Sequence, residues 1–90
     1  MTDYVLWTVN GPEPVVLVTL SRDADGLSAS VDQIGIVNPN GEQPWMLIGE
    51  PFEMLEWARD LASERNCALR VRLLQKVSWN PAWGTLSPPP

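Results

Sequence analysis

The first half of the chain contains apolar runs with strand character, and polar turn residues interrupt them. Four segments are rich in β-branched and aromatic side chains, and residue pairs that tolerate positive φ separate them. The segments are residues 4–9, 15–20, 27–37 and 45–48, and the pairs are Asn10-Gly11, Asp25-Gly26 and Asn40-Gly41. Short turns between successive strands are typical of a meander, so the pattern predicts four antiparallel strands.

The third segment changes phase in its middle. Its apolar residues Leu27, Ala29 and Val31 stand at odd positions, whereas Ile34 and Ile36 stand at even ones. One inserted residue would restore the alternation, so a β-bulge is predicted near Asp32 and Gln33. We interpret this bulge as sheet curvature, with a functional role as the alternative.

A helix is predicted after the fourth segment. Pro51 suits the first helical position, acidic residues stand near the start, and Asn66 suits a left-handed cap at the end. Phe52 and Trp57 lie about 100° or more from the centre of the apolar stripe on a helical wheel, so they either border the core or are exposed. The stripe itself consists of Met54, Leu55, Ala58, Leu61 and Ala62.

Residues 68–77 alternate cleanly and predict a half-buried fifth strand. Its apolar face consists of Leu69, Val71 and Leu73. Its basic face consists of Arg70, Arg72 and Lys76. A helix crossover permits several strand orders, so the neighbour of this strand in the sheet is left open.

These elements predict an α+β fold. A twisted antiparallel sheet, made of a four-strand meander, then the helix, then the fifth strand, has one α-helix packed on one face. Residues 1–78 would form a single α+β domain, and residues 79–90 would form a Trp/Pro-rich C-terminal extension. Two alternatives are open for the extension, which either docks on the body of the domain or inserts into a groove on a partner.

The net charge of −5 is unevenly distributed. Residues 1–57 carry nine of the eleven acidic residues and one of the six basic ones, so the rest of the chain is basic. This distribution disfavours direct nucleic-acid binding driven by counterion release and suits a protein partner with a basic surface. The sequence offers no apolar run long enough for a membrane span, and its single Cys67 fits a reducing compartment, so we expect a cytoplasmic protein without membrane contact.

The absence of histidine removes the usual chemistry of nucleophilic enzymes. Ser-His-Asp and Cys-His arrangements are impossible, and one cysteine without histidine provides no zinc site. Glycines are scattered singly through turns, so no phosphate loop is predicted either. We therefore expect a non-enzymatic protein that uses no cofactor.

One pattern resembles a calcium-binding loop in part. Ser21, Asp23, Asp25 and Asp32 occupy the oxygen-ligand positions 1, 3, 5 and 12 of an EF-hand, with Gly26 at position 6. However, the first ligand is not a carboxylate, the last is not the longer glutamate, and the flanking segments are predicted strands. A β-hairpin turn explains the pattern without metal.

Three groups of residues are candidates for contact with other molecules. The C-terminal extension supplies apolar anchors, and acidic side chains would meet arginine or lysine on a protein partner. These candidate partner-binding residues are Trp79, Trp83, Leu86, Asp23, Asp25, Glu53, Glu56 and Asp60. The basic stripe of the fifth strand, Arg70, Arg72 and Lys76, is a candidate anion site, with a solvated strand face as the alternative.

Small size, acidic character and aromatic anchors together suggest a protein-binding module. Such a module would act as an inhibitor or accessory subunit of a larger basic, nucleic-acid-handling machine, as a phage-encoded anti-defence protein does. The alternative is a structural subunit that self-associates, for example as a homodimer, through a sheet edge or an exchanged tail. A small enzyme that uses a carboxylate pair is the least favoured class.

Overall fold

The computed structural model describes residues 3–36, 47–75 and 77–89 of the chain. The strands are β1 (Asp3–Val5), β2 (Val15–Asp23), β3 (Gly26–Ile34), β4 (Leu47–Gly49), β5 (Ala68–Leu73) and β6 (Thr85–Ser87). The helix α1 spans Pro51–Arg65, and a short 3₁₀ turn spans Pro81–Trp83. The predicted α+β class and the single α-helix are confirmed for this part of the chain.

The main sheet has the strand order β4-β3-β2-β5. The pairs β2–β3 and β3–β4 are antiparallel, as the meander predicts, but β5 runs parallel to β2. The prediction of a wholly antiparallel sheet is therefore wrong. The reason is that α1 carries the chain back along the sheet, so that β5 runs in the same direction as β4, and both β4 and β2 are antiparallel to β3.

The predicted position of the first strand in the meander is also wrong. β1 instead forms a small parallel sheet with β6, in which Tyr4 pairs with Leu86. Beyond β1, the amide of Leu6 donates to the Ser87 carbonyl at 2.9 Å, and the amide of Trp7 donates to the Val71 carbonyl at 2.8 Å. β1 thus connects β6 to the outer edge of β5. These hydrogen bonds satisfy backbone groups that a three-residue strand could not satisfy alone.

The predicted bulge in the third strand is wrong. β2 and β3 pair residue by residue, from Val15 opposite Ile34 to Asp23 opposite Gly26. The change of phase marks the end of β3, because Gly35 adopts a φ of 73° and turns the chain. Because of this turn, Ile36 packs against the core. In a regular strand, its even position would place it with Ile34, on the opposite face from the core residue Val31.

The start of the fourth predicted strand cannot be compared with the structure. β4 begins at Leu47 and ends at Gly49, one residue later than the predicted end. Trp45, the Asn40-Gly41 turn and the last residue of the third predicted segment, Val37, lie outside the described residues.

The core lies between the main sheet and α1. Its central members are Val16, Val18 and Leu20 from β2 and Leu55, Ala58 and Ala62 from α1. Burial of a valine or leucine side chain contributes about 1.5–3 kcal/mol to the free energy of unfolding. β2 is buried on both faces, since Val15 and Leu17 are also buried. The apolar stripe predicted for α1 is thus confirmed, with Met54 and Leu61 at its partly buried border.

Candidate protein-interaction surface

Both ends of α1 are fixed by local hydrogen bonds. The Glu50 carboxylate accepts from the amides of Phe52 at 3.1 Å and Glu53 at 3.0 Å, and so acts as the N-cap. At the other end, Asn66 adopts the left-handed conformation, with φ 54° and ψ 49°, that residues at helix ends often take. The helix limits predicted from the sequence are confirmed. Well-fixed ends give the outer face of α1 a defined geometry.

An acidic ridge runs along the outer face of α1. We use this term for four exposed residues, Glu53, Glu56, Asp60 and Glu64. They are spaced by three or four positions, so their side chains are neighbours on the side of the helix that faces away from the core. Each neighbouring pair of like charges costs about 0.2–0.5 kcal/mol of helix stability. The ridge therefore does not serve to stabilise the helix beyond its first turn.

Two exposed aromatic residues lie on opposite sides of the acidic ridge. Phe52 is 45% exposed and Trp57 is 38% exposed. On a helical wheel they lie about 140° apart, with the ridge between them. Aromatic side chains are enriched at the centre of protein interfaces, where a few of them carry much of the binding free energy, and charged residues are common at the rim. The sequence left open whether these two residues border the core, and the structure shows that they are exposed.

A groove of about 440 Å³ lies between α1 and the 3₁₀ turn. One wall consists of Phe52, Glu56 and Arg59, and the other consists of residues 81–84, which include Trp83. Tyr4 also lines the groove but is only 3% exposed, so it forms the floor. Burial raises the pKa of the Tyr4 hydroxyl, an effect that Arg59 opposes and Glu56 reinforces. No local pattern predicts this groove, because its two walls are more than twenty positions apart along the chain.

Three aromatic rings hold the second wall in place. The Trp79 ring lies edge-on to Tyr4 at 5.5 Å between ring centroids and edge-on to Trp83 at 5.1 Å. The Trp79 indole N–H also donates to the Gly84 carbonyl at 3.0 Å. Edge-on aromatic pairs contribute about 0.5–1.5 kcal/mol each beyond the area that they bury. Trp79 is therefore a structural residue at the centre of this cluster.

The C-terminal anchors predicted from the sequence pack against the protein's own core. Trp79, Trp83 and Leu86 are half-buried and contact the buried cluster. Of the two docking alternatives, the structure thus shows the extension on the body of the domain. Trp83 differs from Trp79 in that it also lines the groove, which leaves part of its surface available to another molecule.

The acidic candidates fall into two groups in the structure. Glu53, Glu56 and Asp60 lie together in the acidic ridge. Asp23 and Asp25 lie instead in the β2–β3 hairpin, where the Asp23 carboxylate accepts from the amide of Asp25 at 2.8 Å. The hairpin predicted from the calcium-like pattern is confirmed. Within the described ranges, no cluster of three or more histidine, cysteine, aspartate or glutamate side chains is arranged to hold a metal ion.

The basic residues of β5 already have partners inside the protein. The Arg72 Nε donates to the Thr19 hydroxyl at 3.2 Å, and its guanidinium carbon lies 5.4 Å from the centre of the Trp7 ring. Arg70 donates to the Leu69 carbonyl at 2.8 Å. Lys76, the third residue of the predicted stripe, lies outside the described residues. These contacts favour a structural role for the two arginines.

Cys67 lies just before β5 and packs partly against the core. Burial raises the pKa of its thiol, and a hydrogen bond with the Val16 backbone and the nearby Arg65 charge oppose this rise in part. A thiol with a raised pKa is a poor nucleophile at neutral pH. Cys67 therefore behaves as a small apolar residue.

No family model matches the chain, and no curated protein or solved structure is similar to it. In the part of the chain that the structure describes, no helix has both the length and the apolar character needed to cross a bilayer. The interpretation of the surface therefore depends on the geometry and charges described above.

Proposed function

We propose that this protein is a small, acidic, non-enzymatic module that binds the basic surface of a larger protein and acts as its inhibitor or accessory subunit. A nucleic-acid-handling machine presents such a surface, and a phage-encoded anti-defence protein is one class that would use it. The observation that carries the proposal is the acidic ridge with exposed Phe52 and Trp57 on either side. We expect the protein to act in the cytoplasm, where the single Cys67 remains reduced.

The chemistry of this face favours a basic partner. Repulsion within the ridge is relieved when positively charged side chains lie against it, so binding recovers free energy that the isolated helix loses. Opposite charges also increase the association rate, in a way that depends on salt. Phe52 and Trp57 would then lose their contact with water at the interface, which provides the apolar part of the binding free energy.

The experiment compares two charge-reversed variants with the unmodified protein. The ridge variant carries Glu53→Lys, Glu56→Lys and Asp60→Lys. The matched control carries the same charge change away from α1, as Asp3→Lys, Glu13→Lys and Asp25→Lys, all at exposed positions. Each protein is used to capture partners from nuclease-treated lysate of the source cells, and the captured proteins are identified by mass spectrometry.

We expect the unmodified protein and the control variant to retain the same basic protein and the ridge variant to lose it. Purified partner should bind the unmodified protein faster at low salt than at high salt. Equal retention by the ridge variant would contradict the proposed surface. Loss of the partner by the control variant alone would also contradict the proposed surface and would assign binding to one of the three control positions instead.

A second candidate function, self-association as a structural subunit, is favoured by one observation. Among the described strands, β4 is the last on one side of the four-stranded sheet, and Ile48 on this strand is 62% exposed. Edge strands with exposed apolar residues tend to pair with another chain. Light scattering over a range of concentrations distinguishes the two functions, since a binding module remains monomeric and a structural subunit forms a defined oligomer.

A further inference from the structure

The groove beside the acidic ridge differs from the ridge in its chemistry. Phe52 lines one wall, Trp83 and Pro81 line the other, and the almost fully buried Tyr4 forms the floor. The two charged residues of its helical wall, Glu56 and Arg59, have opposite signs. Their charges cancel at a distance, so the groove favours an uncharged occupant, whereas the ridge favours a basic one.

Proline-rich peptides fit these two properties. A polyproline II segment is uncharged, has no internal hydrogen bonds and presents flat pyrrolidine rings, which dock in grooves lined by aromatic residues. Because proline has no amide N–H, such a segment does not require acceptors in the groove. Its rise of about 3.1 Å per residue would place a few residues in a groove of this size. Because Glu56 belongs to both the groove wall and the acidic ridge, residues next to such a segment would lie close to the ridge.

We propose that the groove binds a proline-rich segment of the protein partner, and that basic residues next to this segment lie over the acidic ridge. This inference rests on the proposed function, because the same partner supplies the basic residues. The prolines contact Phe52, Trp83 and Tyr4, and the flanking arginines or lysines pair with the carboxylates of the ridge. The groove gives selectivity for proline, and the ridge supplies the charge attraction.

The groove is suited to this role because its second wall is already ordered. The Trp83 ring packs edge-on against Trp79, and the Asn80 side chain accepts from the Ala82 amide at 2.9 Å. Pro81 begins the 3₁₀ turn and restricts its backbone. A rigid wall and a rigid peptide both lose little conformational entropy on binding, so a small contact area suffices.

The test uses fluorescent synthetic peptides and two matched variants of the full chain. One peptide is an oligoproline that ends in two arginines, and its control has alanine at alternate prolines. Phe52→Ala removes an exposed wall of the groove, and Leu74→Ala removes an apolar side chain of the same 45% exposure that does not line the groove. Circular dichroism shows whether each variant retains the fold. Binding is measured by fluorescence anisotropy.

We expect the proline peptide to bind the unmodified protein, with affinity about tenfold lower for Phe52→Ala and changed less than about twofold for Leu74→Ala. Equal binding of both peptides, unaffected by Phe52→Ala, would overturn the inference while leaving the proposed function of the ridge intact. Binding of neither peptide would also overturn it. The capture experiment would still test whether the acidic ridge binds a partner. A concentration-dependent oligomer that the proline peptide dissociates would identify the occupant as Pro88-Pro89 of a second copy, which also overturns it.

Discussion

The C-terminal segment and the outer face of α1 are both rich in aromatic residues, yet they differ in where those residues point. In the C-terminal segment, Trp79 and Leu86 pack against the domain's own core. On α1, Phe52 and Trp57 remain exposed although they belong to a regular helix with a well-packed inner face. An apolar residue outside any periodic pattern is therefore a weaker sign of a partner than an exposed aromatic residue within a helix.

The physical reason for the difference is the availability of partners within the domain. β1 lies at the outer edge of β5, and its Tyr4 ring provides an apolar surface that the main sheet and α1 do not cover completely. Trp79 and β6 complete that surface. The main contacts of α1 are with the main sheet through its inner face, so Phe52 and Trp57 remain exposed.

Removal of the C-terminal segment would test this comparison with the largest effect. A chain that ends at Ser78 loses Trp79, Trp83 and β6, and we expect it to be largely unfolded, since the loss exceeds about 5 kcal/mol and thus approaches the total stability of a small domain. Far-UV circular dichroism and urea unfolding measure this. The control is a chain that ends at Ser87, which should remain as stable as the full chain. A truncated chain with an unchanged unfolding midpoint would show that the segment does not belong to the fold.

Single tryptophan substitutions sharpen the same comparison. Trp79→Ala breaks two ring contacts and the hydrogen bond to Gly84, so we expect it to lower the free energy of unfolding by about 3 kcal/mol. Trp57→Ala, on the exposed face, should change it by less than about 0.5 kcal/mol. Urea unfolding of both variants provides the measurement. Similar losses for both would mean that Trp57 is as structural as Trp79.

Burial of the Tyr4 hydroxyl at the floor of the groove should make the free energy of unfolding depend on pH. Because burial raises the pKa of Tyr4 in the folded state, the unfolded state loses its tyrosine proton first, and stability falls as pH rises above about 10. Tyr4→Phe keeps the ring and removes the hydroxyl, so its stability should fall less over the same range. Cys67→Ser serves as a control for the thiol, whose pKa is also raised. Identical alkaline profiles for the unmodified protein and Tyr4→Phe would contradict the buried hydroxyl.

The smallest expected effect concerns Asp60 on α1, where one substitution should raise the stability of the protein and weaken its binding to a partner. Asp60→Asn removes the repulsion of Asp60 with Glu56 and Glu64, so we expect a gain of about 0.4 kcal/mol in the free energy of unfolding. The same variant should bind a basic partner more weakly. Glu13→Gln, away from the helix, should change neither quantity. A loss of stability in Asp60→Asn would show that the ridge serves the fold.

The elements with strong local signals could be predicted from the sequence. Pro51 and Asn66 marked the ends of α1, and the Asp25-Gly26 pair marked the β2–β3 hairpin. The parallel pairing of β5 could not be predicted, since a helix crossover allows several arrangements. β6 also gave no signal, because three residues between Gly84 and Pro88 are too short to show a period of two.

The candidate site could be predicted only in part. Glu53, Glu56 and Asp60 were candidates because of their charge, and their helical spacing could have added Glu64 to them. Phe52 was seen to lie off the apolar stripe, but its exposure depends on what packs beside the helix. The groove needed the three-dimensional structure, because long-range packing of Tyr4 against Trp79 brings its walls together.

The indole N–H signals of the five tryptophans offer the most direct test of the account. Protein labelled with ¹⁵N at its tryptophans is titrated with a synthetic peptide rich in arginine and lysine, and the signals are followed by NMR at low and high salt. We expect the Trp57 signal to shift at low salt and to return to its free position at high salt. The signal of Trp79, whose indole N–H is hydrogen-bonded, should stay in place. A shift of the Trp79 signal with an unchanged Trp57 signal would contradict it.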